Sequence, residues 1–163
     1  MILAIPPQTM DYYSQTELCI SNREEDKNTN FEFIYNTINK LSATSHITSV
    51  KNRITEIGIL KDNWDGYGAS KPIDKVINNS FRFIDAIFKN DFKLINQDDI
   101  TPTPYGTISF DFISEKGLVS VEIGVSKLGF FTDFLTDDNV YYNEIDTDFC
   151  SIPDALNKAL IKL

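Results

Sequence analysis

Near residue 107 the spacing of apolar side chains changes from three-and-four to two, and that change limits the folds open to this chain. Ile108, Phe110 and Phe112 alternate with Thr107, Ser109 and Asp111. After a turn at Ser114-Glu115-Lys116-Gly117, Val119, Val121, Ile123 and Val125 alternate with Ser120, Glu122 and Gly124. Alternation of this kind marks strands with one buried face. Two more strands are expected at about 128–135 and 140–145, joined by the turn Thr136-Asp137-Asp138-Asn139. Turns this short force neighbouring strands to run antiparallel.

The flanking sequence has the other period. Phe31, Ile34, Tyr35, Ile38 and Leu41 predict a helix over 31–43, which Ser42-Ala43-Thr44-Ser45 ends. Ile47, Val50, Ile54, Ile57 and Leu60 predict a second over 47–61. Ile73, Val76, Ile77, Phe81, Ile84, Ile87 and Phe88 predict a third over 73–89, with Pro72 at its start and Asp74 in its first turn. Ser151, with Asp154 three residues on, predicts the N-cap of a last helix carrying Leu156, Leu160, Ile161 and Leu163. The expected fold is α+β: a two-layer sandwich of N-terminal helices and a C-terminal helix on an antiparallel β-meander of about four strands. Residues 31–163 form one domain on this reading. Residues 1–30 form an arm or added strand, from Ile2, Leu3, Ile5, Tyr12, Tyr13, Leu18 and Ile20, followed by a polar linker over 21–30.

Charge narrows the function classes. The 163 residues carry a net charge of −9, and residues 91–163 hold 13 acidic against 5 basic side chains. Such a surface repels phosphate, so neither nucleic acid nor an anionic membrane is an expected partner. Its carboxylates Asp111, Glu122, Asp133, Asp137, Asp138 and Glu144 are candidates to meet a basic protein, with solubility as the competing explanation. No apolar run approaches about 18 residues, and Met1-Ile2-Leu3-Ala4-Ile5-Pro6-Pro7 lacks the basic start of a secretory signal. Two cysteines, Cys19 and Cys150, give no disulfide framework. A cytoplasmic location is the expectation. His46, the only histidine, sits in a Ser/Thr-rich junction and reads as an exposed loop residue. No phosphate-loop or dinucleotide motif is present, and the cysteine and histidine count is too small for an ordinary structural zinc site. No cofactor, metal or catalytic residue is expected. A hydrolase using Asp65, or an Asp111–Glu122 carboxylate pair on neighbouring strands, is the weakest expectation.

Two loops stand apart. Asn63-Trp64-Asp65-Gly66-Tyr67-Gly68-Ala69 holds the only tryptophan and two glycines within three residues. Thr101-Pro102-Thr103-Pro104-Tyr105-Gly106 leads into the meander. One reading makes them scaffold, with Trp64 plugging the junction and Asp65 tying its loop. The other makes them a shallow pocket lined by Trp64, Tyr67 and Tyr105, anchored by Asp65, for a small molecule such as a nucleotide-like ligand. Both require the loops to meet, with Trp64 packed against 101–108.

These segments resemble a widespread set of small, uncharacterised bacterial and mobile-element proteins. The shared features are an Asn-Trp-Asp-Gly-Tyr-Gly-Ala segment, a proline-initiated helix, and a Pro-Thr-Pro-x-Gly-x-Ile segment running into a strand. The resemblance covers about residues 54–125. Phe112 stands where many of that set have tryptophan, and Ile73 where a serine often precedes the helix. The resemblance implies a shared fold, and an association with toxin or phage-defence neighbourhoods. The acidic charge of the sheet half, the lack of catalytic groups and the small size make a non-enzymatic interaction protein of antitoxin, immunity or inhibitor type the leading expectation. Small-molecule binding is the alternative, and self-association is open.

Overall fold

The computed structural model describes residues 24–90, 95–136 and 139–163. The chain divides into two units, residues 1–39 and 40–163. The proposed arm strand, and the linker as far as residue 23, lie outside the described residues, as do Asp137 and Asp138.

The first long element is α1 (Glu24–Gly58), one helix where the sequence predicts a linker and two helices. From Glu24 to Ile57 the helix contains no glycine or proline to break it. The Ser/Thr junction does not break the helix because its hydroxyls bond back along it. Thr44 Oγ1 donates to the Lys40 carbonyl at 2.9 Å, and Thr48 Oγ1 to the Thr44 carbonyl at 2.8 Å. Side chains 31–42 are exposed on every face of the helix, including Phe31, Ile34, Tyr35, Ile38 and Leu41, whose spacing in the sequence marks one apolar helix face. His46 is not a loop residue. It lies on α1, partly buried, with Nε2 donating to the Ile95 carbonyl at 2.7 Å and its ring edge-on to Phe88.

In residues 40–163 the end of α1 is followed by α2 (Asp74–Lys89), a 3-10 turn (Gln97–Asp99) and five strands: β1 (Ile100–Pro102), β2 (Ile108–Ser114), β3 (Gly117–Ile123), β4 (Lys127–Phe134) and β5 (Tyr141–Asp146). Helix α3 (Asp154–Lys162) follows. The strands pair antiparallel in chain order, β1-β2-β3-β4-β5, in an open sheet. The fold is the expected α+β class with one extra strand. Three-residue β1 is too short for a hydrophobic period to announce it, and Pro102 is tolerated there because the strand lies at the sheet edge. Ser151 does not cap α3: Pro153 stands at the N-cap, and the Pro153 carbonyl accepts from Asn157 N.

One sheet face carries the core. Ile108, Phe110, Phe112, Val119, Val121, Ile123, Leu128, Phe130 and Phe134 meet Val50, Ile54 and Ile57 of α1, Val76, Phe83, Ile84 and Ile87 of α2, and Leu156 and Leu160 of α3. Phe83 sits edge-on to Phe110 and Phe112, with ring centroids 5.4 and 6.3 Å away. Buried Asn79 pins α2 to the β3–β4 turn, its Nδ2 donating to the carbonyls of Gly124 (2.9 Å) and Val125 (2.8 Å). At the start of β3, a Cβ on Gly117 (φ +147°) would run into the Asp133 carbonyl and lie 2.8 Å from Phe134 Cα, so only glycine lets β3 approach β4 there.

Candidate functional site

The two unusual loops meet. Ser70 N donates to the Pro104 carbonyl at 2.9 Å, and Ser70 and Tyr105 form a parallel bridge. Each loop is shaped by its own sequence. Asp65 Oδ1 accepts from Tyr67 N (2.8 Å) and Ala69 N (3.1 Å), and Asn63 Oδ1 accepts from Gly68 N (2.7 Å). The donated backbone N–H groups, Tyr67 first and then Ala69, hold the Asp65 carboxyl below its ordinary pKa. Gly66 and Gly68 take positive φ, as does Asn63. In the second loop Thr103 N donates to the Thr107 carbonyl and Gly106 N to the Thr103 carbonyl, with Gly106 at φ +78°. That is a three-residue hairpin loop closed by a left-handed glycine, and it links β1 to β2.

The expected aromatic pocket forms only in part. Trp64 is partly buried, donates from Nε1 to the Ser70 carbonyl at 3.4 Å, and lines a cleft of about 380 Å³ with Arg53, Glu56, Ile57, Leu60, Thr101 and Pro102. Tyr67 (95% exposed) and Tyr105 (86% exposed) do not line it, and the Asp65 oxygen that would anchor a ligand is engaged within its own loop. Arg53 is partly committed as well, with Nε donating to the Ile100 carbonyl and Nη1 facing Glu56.

The second candidate is the sheet face away from the helices. Register assembles it in rows. Asp111, Ser120, Phe131 and Tyr141 stand side by side across β2 to β5. Thr101, Ser109, Glu122 and Gly129 form the next row across β1 to β4, and Ile113, Leu118 and Asp133 the row on the other side. Asp111 and Glu122 therefore share a face but lie diagonally, without the direct opposition that paired-carboxylate chemistry would suggest. Each is held by hydroxyls. Asp111 Oδ1 accepts from Ser120 Oγ at 2.5 Å and Ser109 Oγ at 3.3 Å, and Glu122 accepts from Thr107 Oγ1. A dent of about 160 Å³ opens over Gly129, bounded by Ser109, Ser120, Glu122, Phe131 and Tyr141. Phe131 is 42% exposed and Tyr141 72%.

Asp133 is exposed on this face. Glu144 lies on edge strand β5 at positive φ, where the β4–β5 register shifts, and Lys127 Nζ donates to it at 2.8 Å. That bond and the attraction behind it lower the Glu144 pKa and raise that of Lys127. Sequence reasoning missed Arg53, Glu56 and Leu60 of the cleft, and Ser109, Ser120, Phe131 and Tyr141 of the open face. Phe131 did carry a signal: Leu128, Phe130, Thr132 and Phe134 point inward, so a phenylalanine at 131 is apolar in the outward phase.

Among the described residues no helix is long and apolar enough to cross a membrane, and no cluster of three or more histidine, cysteine or acidic side chains could hold a metal ion. Comparison with family models, curated proteins and solved structures finds no match.

Proposed function

We propose that this chain is a non-enzymatic docking protein of antitoxin, immunity or inhibitor type, and that the open sheet face receives a basic protein partner. The observation that carries the reading is the composition of that face. Three carboxylates, Asp111, Glu122 and Asp133, are interleaved with Ile113, Leu118, Phe131 and Tyr141 on a sheet face that none of the described helices covers. Aromatic rings beside polar groups are what protein interfaces favour. The dent over Gly129 is smaller than the roughly 300 Å³ at which small-molecule pockets begin. It suits a single side-chain head, and an arginine or lysine there meets the Glu122 carboxylate with the Phe131 and Tyr141 rings beside it. The test starts with capture of the partner from the host, followed by association kinetics with purified proteins. Association slows between about 50 and about 500 mM salt, and slows further with Glu122→Lys plus Asp133→Lys, while the melting temperature stays near wild type. Kinetics indifferent to both changes refute the reading.

The Trp64 cleft supports a second reading, a small-molecule site, because its volume falls within the range of such pockets and tryptophan forms part of its wall. With one tryptophan in the chain, quenching or a shift of its emission by members of a nucleotide panel reports occupancy directly.

A further inference from the structure

The charged sheet face leaves unexplained an apolar surface on residues 31–38 of α1. Phe31, Ile34, Tyr35 and Ile38 are between 52% and 71% exposed and fall within about 100° of the helix circumference. We propose that this stripe is the seam of a homodimer, in which the helix pairs antiparallel with its copy in a second chain. The proposal is independent of the docking function.

Three features select a second copy in this arrangement. First, the stripe is self-complementary about a two-fold axis between residues 34 and 35: Phe31 packs beside the partner's Ile38, and Ile34 beside the partner's Tyr35. Second, the stripe itself carries no charge, and of the residues bordering it Thr37 and Asn39 are neutral and only Glu32 is acidic. A basic partner finds little to attract it here. Third, the area is sufficient for weak association. Four such side chains with their neighbours bury roughly 500 Å² per copy, about 1,000 Å² in all, at the lower limit of specific interfaces. A helix exposed around its whole circumference is marginal in water, and burying this stripe supports it.

The test is sedimentation equilibrium of the full-length chain across about 1–200 µM, a span suited to a micromolar dissociation constant. A monomer–dimer equilibrium is expected, weakened at least about tenfold by Ile34→Glu or Ile38→Glu. Near-UV circular dichroism of the variants checks that the aromatic core is unchanged. Phe31→Cys with Ile38→Cys, in a Cys19→Ser, Cys150→Ser background, should give a disulfide-linked dimer on mild oxidation. A chain that stays monomeric throughout overturns the proposal, including the case in which residues 1–23 cover the stripe. A dimer that survives both glutamates, or that fails to cross-link, overturns it equally.

Discussion

Asp65 is held by backbone donors, and this gives it a measurable acid signature. Tyr67 N and Ala69 N bond to its carboxylate and lower its pKa in the folded chain. A depressed carboxyl contributes stability that is complete above its unfolded pKa of about 4 and is lost as pH falls through the lower folded value. Asp65→Asn removes that contribution. The melting-temperature gap between wild type and variant is therefore widest near neutrality and shrinks below about pH 4. A gap that stays constant down to about pH 2 would mean that the two backbone bonds do not favour the charged form. At this scale the sequence was informative about the loop: Asp65 as the tie and the glycines at positive φ follow from residue chemistry. The exposure of Tyr67 and Tyr105 does not, because it depends on how one loop lies against the other, and Ser70 and Tyr105 are far apart in sequence.

Among the elements, α2 is held against the sheet by a buried polar side chain. Asn79 Nδ2 bonds two carbonyls of the turn between β3 and β4 from a buried site. Asn79→Leu leaves both acceptors facing an apolar group and should cost about 2–3 kcal/mol in urea unfolding. A loss below about 0.5 kcal/mol would show that water replaces the amide there. The long strands were legible because an alternation of two over seven residues has no helical counterpart. Strand β1 was not, since three residues hold no period, and the unity of α1 was not, since back-bonding hydroxyls at Thr44 and Thr48 look in sequence like a break. The open face was half legible. The strand phase placed Asp111 and Glu122 outward, but their diagonal relation and the dent over Gly129 come from register, which individual strand patterns do not specify.

For the whole molecule, the division at residue 39 predicts uneven protection along one continuous helix. Val50, Ile54 and Ile57 are fully buried in the core of the second unit, whereas side chains 31–42 are exposed on all faces. Amide hydrogen exchange at low protein concentration should be fast over 31–42 and at least about 100-fold slower around Ile54, because local opening scales with the contacts that must break. Raising the concentration should slow exchange over 31–38 alone if the helix pairs with its copy. Uniform protection along the helix, independent of concentration, would contradict both statements.

The strand order also governs how the chain comes into being. Each strand pairs with its neighbour in sequence, so every step of sheet assembly closes a short loop at small entropic cost. Helices α1 and α2, however, precede the sheet on which they pack. On the ribosome their apolar faces emerge first and wait for β2, β3 and β4 to appear before they can be covered. Synthesis thus passes through an interval, several seconds long at about 5–20 residues per second, in which the nascent helices offer a greasy surface to chaperones and to one another.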